Sequence, residues 1–340
     1  MYKNLWHRYL ITMIVTLFLI ILTIYVSLTN GTFDMSIKDI IRTLFRLNSN
    51  TEYDLVIFDF RLPRIVIAGL VGLGLGIAGA VIQGVTRNGL ADSGILGVNA
   101  GAGAAIVIFM FFFQGQVTST GWFSIMVLPF FGLVGGLVAA LLIYIFSWKD
   151  GTLDVGRLLL TGIAIGSAFS AFSLYLSLKM KASDFEMATV WISGSIYDAN
   201  WKYIVSILPW LLILIPIIKK KAYLLDLFQL EETSIKSLGV SVEKEKSLLL
   251  LSSIGLISAC VSVSGSIGFI GLMSPHIAKR LVGIQHNYVL PVCGAIGALL
   301  VIVSDFIGKT VFVPAELPVG IVISIIGVPY FLYLLVKAKD

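Results

Sequence analysis

The sequence predicts an all-α polytopic membrane protein with about ten transmembrane helices. Hydrophobic residues make up 58% of the 340 residues and charged residues 13%, which is about half the charged fraction of a soluble globular domain. The chain carries 33 glycines, many within long apolar runs, and small residues let membrane helices approach each other closely. The composition therefore argues against an ordinary soluble enzyme and favours one transmembrane domain over residues 1–340.

The first span is predicted at 10–29. Residues 9–33 contain no Asp, Glu, Lys or Arg, whereas a cleaved secretory signal has an apolar region of about 7–15 residues followed by a small-residue cleavage site. This run is longer and lacks an A-x-A site, so we expect it to be retained as a membrane helix.

Uncharged stretches close to 20 residues long, the length that crosses a bilayer, place the other nine spans. They lie at 63–85, 93–113, 122–147, 157–178, 203–218, 247–264, 267–278, 289–308 and 317–336. The uncharged run 93–148 is too long for one helix, and we divide it at 114–121. The eighth span is short, and we expect a half-helix that ends at Pro275.

Charge predicts the orientation of the bundle. An even number of spans places both termini on one side, and the terminal and loop segments of that side hold 15 of the 24 Lys and Arg residues. Because positive charge accumulates on cytoplasmic loops, both termini are expected in the cytoplasm. Nine cations then face outside, either as ordinary solvated loop charge or as a docking surface for an acidic partner. They are Lys38, Arg42, Arg46, Arg61, Arg64, Lys179, Lys181, Lys202 and Lys309.

Residues 72–84 read GLGLGIAGAVIQG, and 74–79 match the GxGxxG pattern of a dinucleotide-binding turn. That site requires a preceding strand and an acidic residue about 20 positions later. Here the uncharged run 65–86 is of membrane length, and 94–99 contain no acid. The pattern is therefore interpreted as a helix-packing face of small residues at a four-residue spacing. This face consists of Gly72, Gly76, Ala80 and Gly84.

Other patterns in the sequence resemble functional sites, but the neighbouring residues do not support a functional interpretation. The GKT at 308–310 would need a glycine at 303 to end a phosphate-binding loop, and that residue is Val303. The three histidines are far apart and lack ligand-spaced carboxylates, so we expect no metal site and no cofactor. Cys260 and Cys293 lie in apolar runs and are expected to be packing residues. The basic residues flank apolar runs, which indicates membrane topology signals and no nucleic-acid partner.

The RLPR stretch at 61–64 directly precedes span two. Arg61 and Arg64 are three residues apart and can share one face at the outer end of that span. Arginine forms bidentate pairs with carboxylates, so these residues are candidates for docking an acidic partner. The alternative is that they anchor the helix end to lipid headgroups.

The longest inside loop, 222–246, is predicted to form two short helices with Gly239 as a stop. It carries four apolar residues among charges, which we expect to be exposed. Such a segment either enters a groove of a partner protein or lies flat on the membrane. The four residues are Leu227, Phe228, Ile235 and Leu238.

Span five carries small and hydroxyl residues at i, i+4, i+7 and i+11, which places them on one helical face. The face borders a water-filled path or forms a close helix contact. Its residues are Gly166, Ser170, Ser173 and Ser177.

An ion-driven secondary transporter or a membrane-embedded enzyme is the rival interpretation. An ion-driven carrier keeps carboxylates deep within its helices, but the predicted spans are nearly free of acids. Asp305 lies close to an outer end, where Lys309 at i+4 is expected to pair with it.

Several long motifs, in order from about residue 55 onward, resemble the FecCD-type permeases of ABC importers, which take up ferric siderophores, haem or vitamin B12. The motifs are RLPR at 61–64, AGAVIQGVTRNGLADSGILGVNAGAG at 78–103, WISGSIYDANW at 191–201, SLGV at 237–240, GSIGFIGLMSPHIAKRLVG at 265–283, AELPVG at 315–320 and IGVPYFLYLL at 326–335. The resemblance implies the type II ABC importer permease fold, with no catalytic residue.

The same resemblance implies the partners of a multi-pass subunit in a bacterial cell membrane. These are a second permease (an identical chain or a related one), cytoplasmic ATP-binding subunits, an extracytoplasmic substrate-binding protein and the surrounding lipid. The expected cargo is an iron–siderophore complex, with haem or vitamin B12 as alternatives.

The resemblance also implies roles for particular residues in docking and in coupling to the ATPase. The docking cations of the family correspond to Arg61, Arg64 and Lys309, although lysine lacks the arginine fork. The coupling loop that contacts the ATPase corresponds to 226–240. Its candidate contacts are Asp226, Leu227, Phe228, Glu231, Glu232, Leu238 and Gly239.

The sequence departs from the family pattern at three places. N-P-L-A-D-P reads NGLADS at 88–93, without either proline. L-G-E-E reads LEET at 230–233, and P-H-I-A-R reads PHIAK at 275–279. The first change makes the turn after span two less rigid, and the second alters the expected shape of the ATPase contact.

Overall fold

The structure is a computed structural model that describes residues 2–30, 35–47, 51–94, 96–113, 122–149, 151–313 and 315–337. Ten helices within these residues coincide with the ten predicted spans, so the predicted helical membrane fold is confirmed. They are α1 (Tyr2–Thr29), α4 (Leu62–Thr86), α5 (Val98–Phe113), α6 (Trp122–Ser147), α7 (Val155–Ser177), α9 (Trp201–Lys220), α12 (Val242–Ser264), α13 (Ile270–Val282), α14 (His286–Thr310) and α15 (Val319–Lys337). The predicted break at 114–121 lies outside the described residues.

Seven of these helices in the described part of the chain are long and apolar enough to cross a membrane: α1, α4, α6, α7, α9, α12 and α14. The helices α5 and α15 are shorter and apolar. At 13 residues, α13 is only about 20 Å long, so it is the half-length helix that the sequence predicts.

Short elements join the long helices. On one side of the bundle are α2 (Ile37–Leu44), α3 (Thr51–Asp54), a π-helical segment (Leu55–Arg61) that runs into α4, and α8 (Ala182–Ile192). On the other side are α10 (Ala222–Leu227) and α11 (Glu232–Ser237). A two-residue antiparallel hairpin pairs β1 (Trp148–Lys149) with β2 (Thr152–Leu153) between α6 and α7.

The expectation that the eighth span ends at Pro275 is wrong, because α13 continues through that residue to Val282. Proline lacks an N–H and leaves the carbonyl four residues earlier without its helical partner. That carbonyl belongs to Gly271, and its oxygen accepts a hydrogen bond from Nε2 of Gln83 in α4 at 3.4 Å. A side chain from a neighbouring helix therefore compensates for the missing bond.

The core is organised around α4, which packs on α12, α13 and α14. A β-carbon at Gly72 would lie 2.2 Å from the carbonyl oxygen of Gly297, and one at Gly76 would lie 2.4 Å from that of Cys293. Both contacts are with α14, so only glycine permits this approach. Ala80 is fully buried. Gly84 lies further along, beside Leu225 of α10 and His286 of α14.

The GxGxxG residues lie inside α4 and have no room for a nucleotide. A β-carbon at Gly79 would lie 2.1 Å from the carbonyl oxygen of Gly271 in α13, and one at Gly74 would lie 2.5 Å from Sγ of Cys260. Cys260 and Cys293 are both free and buried, as the packing interpretation expects.

Candidate functional site

The predicted docking cations come together at one end of the bundle, which the charge distribution predicts to face outside. A cavity of about 460 Å³ lies there between α4, α14 and the segment before α9, and Arg61, Arg64 and Lys309 all line it. Arg61 ends the π-helical segment, in which the Leu62 N–H donates to the carbonyl of Ile57, five residues back. These wider turns directly precede Pro63 and set the position at which Arg61 enters the cavity.

Each of the three cations already has a partner within the chain. Arg64 donates through Nε to Asp305 Oδ1 at 2.7 Å and through Nη1 to Glu316 Oε2 at 2.8 Å. Arg61 is 9% exposed and donates to the carbonyl of Leu28 in α1. The cluster is therefore a fixed and recessed surface rather than a set of mobile side chains.

The expected Asp305–Lys309 pair does not form, which is a correction. Asp305 forms its ion pair with Arg64, and Nζ of Lys309 donates to Oγ of Ser27 in α1 at 2.7 Å. Spacing along one helix made Lys309 the predicted partner, but the guanidinium of α4 reaches the carboxylate at a shorter distance. The three cations thus connect α1, α4 and α14.

Acidic residues share this cavity, which the sequence reasoning missed. Asp59, Asp198 and Glu316 line it together with the cations. Arg64 also lies 5.9 Å from the ring centroid of Tyr197. An incoming carboxylate would therefore meet a mixed field, in which two carboxylates largely neutralise Arg64 and Lys309 donates to a hydroxyl oxygen.

At the opposite end, the loop 222–246 folds against the ends of three spans. Oδ1 of Asp226 accepts the backbone N–H of His286 at 3.0 Å and lies 2.6 Å from the Nδ1 of the same residue. Nη2 of Arg87 donates to the carbonyl of Leu230 at 2.6 Å. The first contact fixes α10 to the first turn of α14, and the second fixes the segment after α10 to Arg87, the residue that follows α4.

Two residues predicted to be exposed in this loop are buried. Phe228 and Ile235 are both 0% exposed, so the expectation that they form apolar contacts for a partner is wrong. Because α10 and α11 pack against the bundle, these side chains complete the core instead. Leu227 is half-buried, and Leu238 is 64% exposed.

The exposed surface of the loop also contains residues that the sequence reasoning did not select. Tyr223 is 51% exposed and Leu230 is 48% exposed. Together with Leu238 they form the apolar part of this surface. Gly239 has φ +79°, a left-handed conformation that favours glycine, and it follows the last turn of α11 as predicted.

The two predicted glutamates of the loop differ in environment. Glu231 is exposed, whereas Glu232 forms an ion pair with Lys246 at the start of α12. The hydrogen bond from Lys246 lowers the pKa of Glu232 below its usual range. Glu232 therefore holds α11 on α12, and Glu231 remains at the surface.

The small-residue face of α7 has two different environments, one that fits a close helix contact and one that fits a water-filled path. Ser170, Ser173 and Ser177 line a cavity of about 510 Å³ between α5, α7 and α8. Gly166 instead contacts Gly97, whose Cα would lie 3.2 Å from a β-carbon at position 166. One turn of the face is thus a close backbone contact, and the serines border open space.

Polar residues from other elements line the same cavity: Asn99 of α5, Thr189 of α8, and Ser193 and Ser266 of the connecting segments. The sequence reasoning missed them. The available signal was Asn99, a single amide at the start of an apolar helix. In the part of the chain that the structure describes, no group of three or more His, Cys, Asp or Glu residues could hold a metal ion.

Comparison with known proteins gives matches over nearly the whole chain. The sequence model of the FecCD transport family matches residues 19–337. The iron-uptake system permease protein FeuC of Bacillus subtilis (strain 168) is 57% identical over 321 residues, which cover 94% of this chain and 96% of that protein. The iron(3+)-hydroxamate import system permease protein FhuG of the same organism is 44% identical over 337 residues, covering 99% and 100%.

A solved structure gives a comparable match. It is described as an inward-facing conformation of a metal-chelate type ABC transporter, and it superposes with a TM-score of 0.82 at 28% sequence identity. The match covers 99% of this chain and 100% of that one.

Proposed function

The chain belongs to the FecCD transport family, and from this premise we propose that it carries an intact iron–siderophore chelate inward across a bacterial cell membrane. It is a membrane-embedded permease subunit of an ABC importer and not an enzyme. The observation that carries the cargo proposal is the full-length similarity to two permeases named for iron uptake and for iron(3+)-hydroxamate import. Both termini lie in the cytoplasm in this proposal.

The energy comes from ATP hydrolysed on separate cytoplasmic subunits, and the loop 222–246 receives their movement. Leu238 and Leu230 provide exposed apolar contacts on the loop. The Asp226–His286 contact transmits displacement of α10 to α14. The Arg87–Leu230 bond transmits it to the end of α4.

Cargo is delivered on the outside by a substrate-binding protein, which docks on Arg61, Arg64 and Lys309. Lys309 donates to a hydroxyl oxygen within the chain. Its charge therefore remains available to acidic side chains of the loaded binding protein. The cargo then passes along the serine face of α7 in a dimer of permeases, formed by two identical chains or by two related ones.

Reconstitution tests the proposal. The permease is placed in lipid vesicles with its ATP-binding subunits, and uptake of a radioiron-labelled siderophore chelate is measured with the cognate binding protein outside. We expect uptake that requires both ATP and the binding protein. Uptake driven by a proton or sodium gradient in the absence of ATP would overturn the proposal in favour of an ion-driven transporter.

A further inference from the structure

The short helix α2 (Ile37–Leu44) presents an apolar face that is not covered by any described part of the chain. Successive residues of a helix are rotated by about 100°, so four exposed apolar side chains of this segment fall within about 100° of arc. They are Ile37, Ile41, Leu44 and Phe45, and Phe45 is 73% exposed. An apolar face of this kind needs an apolar surface outside the chain.

Another side of α2 is fixed to the bundle. Ile40 is 5% exposed and belongs to a small apolar cluster with Leu28 of α1 and Ile57 of the π-helical segment. Ser36 caps the helix, because its Oγ accepts the backbone N–H of Asp39 at 3.3 Å and donates to the Asp39 carboxylate. These contacts set the rotation of α2, so the direction of its apolar face is defined.

The position of α2 along the bundle corresponds to a bilayer surface. Arg8 is the last charged residue of α1, and Leu28 lies about 30 Å beyond it along the helix axis. This distance equals the thickness of the hydrocarbon core. Only 11% of the most apolar stretch of α1 is buried within the described chain, so most of α1 is open to the surrounding lipid. That lipid reaches α2 at the level of Leu28.

The charged residues of α2 complete the pattern of an interfacial helix. Lys38 and Arg42 are exposed on the flank beside the apolar face, and neither forms an ion pair with a residue that the structure describes. Asp39, the single acidic residue of α2, lies about 170° from the centre of the apolar face. When the apolar face meets the bilayer, the carboxylate therefore points to water and the two cations lie at the level of the phosphates.

The occupant of this face must offer apolar contacts to α2 and negative charge to the flanking cations. A bilayer that contains anionic phospholipid supplies both, because its acyl chains lie directly below its phosphates. It is also already present beside α1. A partner protein would have to displace this lipid from the α2 face before it could make the same contacts.

We propose that α2 is an interfacial anchor that binds the outer surface of the lipid bilayer. Its apolar face lies among the upper acyl chains, and Lys38 and Arg42 contact anionic phospholipid headgroups. Two of the nine cations predicted to face outside therefore bind lipid and not a partner protein. The inference goes beyond the proposed function, because it holds for any cargo.

Nitroxide labels can measure the depth of α2 in the bilayer. The permease and its ATP-binding subunits are reconstituted in vesicles of phosphatidylethanolamine and phosphatidylglycerol, with a label on Ile41→Cys or Leu44→Cys. The ratio of collisions with oxygen to collisions with a water-soluble nickel chelate should be several-fold higher at both positions than at Arg42→Cys on the polar flank. The unsubstituted complex supplies the background, since Cys260 and Cys293 are buried.

Two results of this experiment would overturn the proposal. Equal ratios at positions 41, 42 and 44 would show that the apolar face lies in water. Labels at 41 and 44 that are shielded from both reagents would show that a protein covers the face. If that shielding appears only when the binding protein is added, the binding protein is the occupant.

A second experiment tests the headgroup contact through the charge of the lipid. In phosphatidylglycerol vesicles, Lys38→Gln/Arg42→Gln should lower the ratio at Ile41→Cys several-fold, and this difference should vanish in pure phosphatidylcholine. The matched control is Lys179→Gln/Lys181→Gln, which removes two exposed cations outside α2 and should leave the ratio unchanged. The same ratio for all three proteins in both lipids would overturn the contact with anionic headgroups.

Discussion

The guanidinium Nε of Arg64 lies 2.7 Å from the Oδ1 of Asp305, although the two residues are 241 positions apart. The Asp305 side chain is 2% exposed and that of Arg64 is 13% exposed. This buried pair joins α4 and α14 at the end of the bundle that holds the cation cavity, and the same two helices pack through Gly72 and Gly76. Arg64 therefore has a structural role in addition to its proposed docking role.

Removing the guanidinium should destabilise the protein. Arg64→Ala leaves the Asp305 carboxylate buried without a partner, and breaking such a pair costs about 3–5 kcal/mol. Arg64→Ala/Asp305→Asn should recover much of that loss, because the remaining side chain is neutral. Thermal unfolding in detergent measures both. Equal unfolding temperatures for the single and double variants would show that the pair does not stabilise the bundle.

Lys309 gives a clearer test of docking than Arg64, because Lys309 contacts a hydroxyl and Arg64 contacts carboxylates. Lys309→Ala should weaken binding of the cognate binding protein about tenfold, or about 1.4 kcal/mol, and more at low salt. Lys309→Arg should strengthen it, because the fork can form two bonds to a carboxylate. Binding to the reconstituted permease is measured by surface plasmon resonance.

Lys181 provides the control for this experiment. It is an exposed lysine predicted to face the same side, and it does not line the docking cavity. Lys181→Ala should leave binding unchanged. A loss of affinity equal to that of Lys309→Ala would mean that general surface charge, and not the cluster, attracts the partner.

Coupling should depend on Leu238, the most exposed apolar side chain of the loop 222–246. Leu238→Asp should reduce co-purification of the ATP-binding subunits while leaving the unfolding temperature within a few degrees of wild type. Ile235→Asp should instead unfold the loop, because it places a charge at a position that is 0% exposed. The control is Ser237→Asp, which adds the same charge at an exposed neighbouring residue and should leave co-purification unchanged. Undiminished co-purification with Leu238→Asp would contradict the proposed contact.

The spans were predictable because an uncharged run of membrane length has few alternatives to a helix. The contacts that fix the candidate site were not. The i+4 spacing predicts Lys309 as the partner of Asp305, but the Arg64 guanidinium from a distant helix is its partner. The surrounding charges predict an exposed Phe228, and only the packing of α10 on the bundle explains its burial. The helix α13 continues through Pro275 because Gln83 donates to the Gly271 carbonyl, which lacks its helical partner.

The contact between Glu232 and Lys246 predicts a dependence on pH. Because the hydrogen bond lowers the pKa of Glu232 in the folded state, its stabilisation is present above the unfolded pKa and is lost as pH falls through the lower, folded pKa. Glu232→Gln should therefore lower the unfolding temperature at neutral pH and have no effect in strong acid. Since the Glu232 side chain is 41% exposed, solvent screening keeps the effect below about 1 kcal/mol. The adjacent Glu231→Gln is the control, and a difference that persists in acid would contradict this assignment.

The serine face of α7 can be tested for access to water. Ser173→Cys should react with a membrane-impermeant thiol reagent in at least one transport state, because Ser173 lines the cavity of about 510 Å³ between α5, α7 and α8. The wild type supplies the background, since Cys260 and Cys293 are buried in the core and should not react. Reaction that is accelerated by ATP or by the loaded binding protein would link access to this cavity to the transport cycle. If Ser173→Cys stays unlabelled in every state, this face packs against another helix and does not border the path.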